Sequence, residues 1–187
     1  DANAYKKAMV GLGVPYTAFE GYRPWFVSVA LSLIPTQRAG FDPNSGVEAI
    51  LKAQASKNGK ALVGLETGIE QIGFFDKMSD DLQIAMLNGS VKDIPNATKN
   101  LDQLVDSWVK GDVKRLAKLM NAGMQETPEV GKILLADRNA RWAGWIDKRM
   151  EKPGTVFLAV GAGHLAGKGS VQDFLKSRHF TVSRVKL

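Results

Sequence analysis

Two histidines occur in the 187-residue chain, and one of them, His164, lies where chemistry often collects. It follows an apolar, β-branched-rich run, Thr155 to Val160, in the stretch TVFLAVGAGHLAGKGS, with glycines at 161, 163, 167 and 169 around it. The pattern predicts a buried strand over 155–160 ending in a tight turn, where Gly161 and Gly163 let the imidazole swing toward a cleft. In open α/β sheets ligands bind at the carboxyl ends of the strands. A histidine at such a position can be a metal ligand or a general base. A plainer role fits the same residues: the glycines make the turn and His164 caps a carbonyl.

A second short apolar run, KALVGLE over 60–66, ends on the carboxylate of Glu66. If the strands at 61 and 155 are parallel, Glu66 and His164 project from one sheet edge, where a carboxylate and an imidazole can share a metal ion or a water. Gln71, one turn into the helix after Thr67, would face the same edge. In the helical pattern Val130–Met150, Arg138, Trp142 and Trp145 recur at i, i+4 and i+7 on one stripe, with Asn139 about 100° round. A tryptophan stripe is first of all core packing. An arginine buried beside it needs a carboxylate or a ligand anion, and Glu66 is the protein candidate.

Other chemistries find less support. Cysteine is absent, which removes disulfides, thiolate metal sites and a thiol nucleophile, and there is no G-x-S-x-G elbow. A three-ligand zinc site would want a second histidine or more carboxylates. Gly161-x-Gly163-x-x-Ala166 matches the dinucleotide fingerprint, but the tail from Phe180 has no acid to meet a ribose. The phosphate-loop pattern fails as well, with Ala162 where its first glycine should stand and Gly169 where Ser or Thr should. No nucleotide cofactor is expected.

These residues need elements to hold them. Helices are predicted over 2–12, over Trp25–Leu33 until Pro35 ends or kinks it, and from a Ser45-Gly-Val-Glu48 capping box to Lys57, closed by Asn58-Gly59. Thr67 and Ser79 each start another, Asn88–Asn100 reads as a polar loop, and helices follow over 101–109 and 113–120. Thr127-Pro128-Glu129 starts the long helix, Val171–Ser177 is a short one, and Phe180–Val185 a final strand. The expected fold class is α/β: a small mixed or mostly parallel sheet flanked by helices, in a single domain over 1–187. A large helical insertion, about 68–150, separates its strands. Three or four strands are few against the usual ~5–6, so part of the sheet is expected to be missing.

Composition fits a globular chain, 44% hydrophobic and 24% charged. No apolar run reaches the ~18 residues of a membrane helix, so no transmembrane segment is expected. The net charge is +6, but the basic residues are scattered, which argues against a nucleic-acid partner.

Together, Leu65-Glu66-Thr67 with Gln71, Arg138-Asn139 with Trp142, and Val156–Gly161 leading into Ala-Gly-His164-Leu-Ala-Gly167 resemble the TraB/GumN (PrgY-like) family. Pro24-Trp25 and Gly46-Val47 fit the same pattern, so the resemblance covers essentially the whole chain. The family is similar to the TIKI metalloproteases and, more distantly, to the erythromycin-esterase and ChaN-like folds. The resemblance implies an α/β core with a helical insertion, two G-x-x-H motifs, a glutamate, a nearby Arg-Asn pair and divalent-metal-dependent peptide hydrolysis. By position, Gly161 and His164 match the second G-x-x-H motif, Glu66 the glutamate, and Arg138 and Asn139 the Arg-Asn pair. His164 and Glu66 would then be metal ligands, with Gln71, Trp142, Gly161 and Gly163 in support. No histidine precedes Glu66, so the first motif and its N-terminal strand or strands are expected to be absent, leaving this chain alone inactive. Peptide or small-molecule substrates and an extracytoplasmic location follow from the same resemblance. The alternative is a non-catalytic peptide-binding or regulatory protein of the pheromone-shutdown type.

Overall fold

The computed structural model describes residues 1–124 and 127–185. They form two compact units, residues 1–103 and 104–187. In the first, α1 (Ala2–Gly11) starts where the Asp1 carboxylate accepts the Asn3 amide at 2.9 Å. It is followed by α2 (Pro24–Arg38), α3 (Val47–Lys57), α4 (Gly68–Asp76) and α5 (Asp80–Asp93). Met9, Leu12, Val27, Leu31 and Val91 pack into its core from α1, α2 and α5. Each such side chain contributes about 1.5–3 kcal/mol when fully buried. Between α2 and α5 the hydroxyls of Ser28 and Ser90 meet at 2.6 Å, which satisfies the fully buried Ser28.

Through the boundary runs α6 (Ala97–Val109), and the second unit continues with α7 (Val113–Met124), the short α8 (Pro128–Gly131), a π-helical turn (Lys132–Ala136) and α9 (Asp137–Met150). A 3₁₀ turn (Ala162–Leu165) and α10 (Val171–Lys176) complete it. Its buried apolar residues include Leu116, Val130, Ala143, Ala166 and Val171. Arg184 donates to the Gly111 carbonyl at 2.8 Å and ties the last segment to the α6–α7 turn.

The expected α/β sheet is not there. Among the described residues there is no strand, so the fold is helical and the α/β class, with its strands at 61, 155 and 180, is corrected. Those segments are not helical, and among the described residues no hydrogen-bonded ladder joins them to a neighbour. Leu62 and Val63 are exposed in the first, Phe157 in the second and Val185 in the third. Apolar and β-branched residues favour a strand only through the packing that cross-strand neighbours provide. Here that partner is not among the described residues.

Three local expectations also change. Asn88–Asn100 is helical, because α5 continues to Asp93 and a 3₁₀ turn (Ile94–Asn96) leads into α6. Pro95 sits in the first turn of that piece, where its missing N–H costs nothing, and Leu87, Val91 and Ile94 join the core while Lys92, Asp93 and Asn96 are exposed. Pro35 lies inside α2 without ending it. The hydroxyls of Ser32 and Thr36 bond the carbonyls of Ser28 and Ser32, four residues back, at 3.0 and 3.1 Å. Ser45 does not cap α3: its hydroxyl donates to Asp42 at 3.0 Å, and Gly46 is the N-cap. Thr67 does cap α4, in a reciprocal box with Glu70, and Ser79 caps α5.

Candidate functional site

The second unit builds its polar centre from α9 and the glycine-rich turn. The π-helical turn before α9 holds one residue more per hydrogen-bonded ring than an α-helix, and it resets which face of the following helix turns inward. Lys132 spans it, its ammonium reaching both carboxylate oxygens of Asp137 at 3.0 and 2.8 Å. In α9 the buried residues are Asn139, Trp142 and Ala143, at i, i+3 and i+4. Asn139 therefore lies on the buried stripe with Trp142, while Arg138 and Trp145 flank it half-buried.

His164 arrives from the opposite side of this centre. Gly161 is extended, and the His164 amide bonds back to the Gly161 carbonyl at 2.9 Å, closing the 3₁₀ turn. The imidazole is buried, 8% exposed. Its Nδ1 lies 2.6 Å from Oδ1 of Asn139, whose Nδ2 donates to the Gly169 carbonyl at 2.8 Å. A carbonyl can only accept, so the amide nitrogen of Asn139 must face Gly169 and its oxygen must face His164. In the neutral imidazole Nδ1 then carries the proton and Nε2 the lone pair. Gly169 adopts φ 75°, a left-handed conformation that presents its carbonyl to Asn139 and its N–H to Asp173 at 3.0 Å.

The indole of Trp142 lies 4.3 Å from the imidazole, centroid to centroid. Arg138 stacks its guanidinium 5.0 Å from the same indole and donates to the Leu134 carbonyl at 3.0 Å. A cavity of about 430 Å³ opens beside His164, walled by Leu104, Leu116, Met120 and Leu135 and floored by Gly161 and Gly163. Gly163 lies close against Met120: a Cβ there would overlap its Cε and stand 3.2 Å from its sulfur, and the flexible end of that side chain would have to swing aside. This wall of α6 and α7 residues has no motif, and only the amphipathic spacing of those helices hints at it. The other histidine, His179, is exposed at φ 66° in the turn after α10.

Glu66 and Gln71 belong to the first unit. Glu66 is half-buried at the end of the 60–66 segment. It is not part of the capping box of α4, in which Glu70 accepts the Thr67 amide at 2.7 Å. Gln71 is exposed on α4. Among the described residues no three His, Cys, Asp or Glu side chains gather around a point. Among the described residues the groups beside His164 include an amide and an indole, while Asp137 pairs with Lys132 and Asp147 with Arg178. These residues of the second unit do not by themselves fit a metal ion, which wants several anionic or imidazole donors.

No solved structure matches the chain. Among curated proteins it is similar to "Uncharacterized protein YbaP" of Escherichia coli (strain K12) and of Shigella flexneri, each 24% identical over 166 residues. That match covers 88% of this chain and 61% of each relative. It is also similar to an "Uncharacterized protein" of Treponema pallidum (strain Nichols), 24% identical over 180 residues, covering 89% of this chain and 53% of the relative. The chain thus spans between half and two thirds of the length of these relatives. The model of the TraB/PrgY/gumN family matches residues 1–184, including Glu66, the Arg138-Asn139 pair and the GAGHLAG turn, and the chain belongs to that family.

Proposed function

We propose that the His164 cavity is the reaction centre of a hydrolase acting on peptide-like substrates with apolar side chains. The observation that supports this reading is the Gly169–Asn139–His164 hydrogen-bond chain, which sets the imidazole tautomer beside an apolar cavity. With its proton on Nδ1, His164 can take a proton from water through Nε2 while the water oxygen attacks the substrate carbonyl. The same nitrogen then returns the proton to the leaving amine as the carbon–nitrogen bond breaks. Asn139 is a positioning residue, since both ends of its amide are engaged. The nearby indole face favours the transient imidazolium. Arg138 is the proposed partner of the developing oxyanion. Glu66 is a proposed carboxylate of the reaction on the sequence pattern alone.

The test is turnover of a quenched-fluorescent peptide library rich in Leu, Phe and Met, with and without added divalent metal. His164→Gln is expected to lower turnover by about 10²–10⁴-fold with the fold retained. Turnover unchanged in His164→Gln removes the imidazole from the reaction, and unchanged turnover in Glu66→Gln removes that carboxylate. A second reading rests on the apolar walls, which suit a protein that holds peptides without cleaving them. Saturable binding of these peptides with turnover in neither protein would select it.

A further inference from the structure

Charge is unevenly shared between the two units. Residues 1–103 hold 10 Lys and Arg against 11 Asp and Glu, whereas residues 104–187 hold 15 against 8. Part of that excess surrounds the corner where α6 gives way to α7. The turn is Lys110-Gly111-Asp112, closed by Gly111 at φ 62°. Three apolar side chains stand in the open beside it. Trp108 and Val109, in the last turn of α6, are 56% and 71% exposed, and Val113, the first residue of α7, is 38% exposed. Trp108 also lines the cavity beside His164, and neither valine does.

Cations flank this tip in excess. Asp106 is shared between Lys110, at 2.6 Å, and Arg115, at 2.9 Å, so one carboxylate answers two of them. Asp112 accepts the Arg115 amide at 3.0 Å and caps the start of α7. Lys114 and Lys118 are exposed one turn apart on α7 and enter no ion pair among the described residues. Arg184 lies against the turn, and its bond to the neutral Gly111 carbonyl leaves its charge in place. Among the described residues the corner thus sets five cations against two carboxylates around exposed apolar side chains. Tryptophan settles at the headgroup level of a bilayer, valines reach the acyl boundary, and lysines beside them meet anionic headgroups. A nucleic acid would answer the lysines and leave both valines in water. We propose that the α6–α7 corner docks peripherally on an anionic membrane surface, with Trp108, Val109 and Val113 in the headgroup layer and Lys114 and Lys118 on the lipid phosphates. Such docking needs no spanning helix, and none among the described residues is long and apolar enough to span. It is independent of the reaction proposed for His164.

The experiment is co-sedimentation of the full chain with vesicles of phosphatidylcholine, alone or with about 30% phosphatidylglycerol. Partitioning onto the anionic vesicles is expected to be at least about tenfold stronger and to weaken as salt is raised. Lys114→Gln/Lys118→Gln should lose about twentyfold, since each lysine at an anionic surface is worth about fivefold. Val109→Asp should lose at least about fivefold. Lipids brominated in the acyl chain locate the contact: they should quench the emission of the wild-type chain and much less that of Trp108→Phe, which keeps an aromatic tip and still binds. Far-UV circular dichroism confirms that the variants fold, and should the double variant not fold, Val109→Asp and the quenching decide. Equal partitioning onto both vesicles, full binding by folded Val109→Asp, or quenching retained in Trp108→Phe would overturn the assignment. Vesicles left unbound, with the same lysines needed to bind a mixed-sequence oligonucleotide, would give the corner to nucleic acid instead.

Discussion

Asn139→Leu is the most informative substitution, because it keeps the approximate shape of the side chain and removes both of its polar ends. Asn139 is 1% exposed and bridges Nδ1 of His164, at 2.6 Å, to the Gly169 carbonyl, at 2.8 Å. The variant strands a buried imidazole donor and a half-buried carbonyl. Leaving a buried polar group without its partner costs about 1–3 kcal/mol. Gly169 is less deeply buried than His164, so its share belongs at the low end, and the sum is about 3 kcal/mol. At about 2–4 °C per kcal/mol for a chain of this size, the melting temperature should fall by about 6–12 °C in differential scanning calorimetry. A second readout follows the tautomer. Long-range ¹⁵N–¹H correlation should show neutral His164 protonated on Nδ1 in the wild-type chain, and this preference should disappear in Asn139→Leu. A melting temperature within about 2 °C of wild type, or an Nε2-protonated ring in the wild-type chain, would refute the bridge. The role of Asn139 as a positioning residue would fall with it.

Two further expectations are independent of the bridge. Gly163→Ala should cost less than about 1 kcal/mol, since the Met120 methyl that its Cβ meets is the free end of a flexible side chain and can swing away. In a Met120→Ala background even that small cost should vanish, as a double-mutant cycle in urea would read. Asp106 accepts a hydrogen bond from Lys110 at 2.6 Å, and this bond, with the charges of Lys110 and Arg115, holds its carboxyl below the usual carboxylate range. Its stabilising contribution is therefore complete above the unfolded value and is lost as pH falls through the lowered folded value. A ¹³C titration of the Asp106 carboxyl should show this low midpoint, and Lys110→Met should raise it.

The sequence by itself determined the local pieces and the family. Thr67 and Ser79 were readable as helix caps because a cap is a bond between residues three apart. Asn58-Gly59 was readable as a helix stop because only the left-handed φ of 60° at Gly59 closes that turn cheaply. The GAGHLAG turn was readable as a family motif for the same reason, since its glycines and histidine are neighbours in the chain, and the family match contains it. Tertiary structure decided everything that depends on a distant partner. The runs at 61, 155 and 180 carry strand-like composition, yet a strand exists only when another backbone accepts its hydrogen bonds, and among the described residues none does. Arg138, Trp142 and Trp145 formed the stripe suggested by periodicity, whereas the inward face of α9 is Asn139, Trp142 and Ala143. That phase is set by packing and by the π-helical turn before it. His164 acquired its surroundings in the same way. Its tautomer is fixed by an amide 25 residues away, which is itself oriented by a carbonyl 30 residues from that amide, and no local spacing encodes such a chain of contacts.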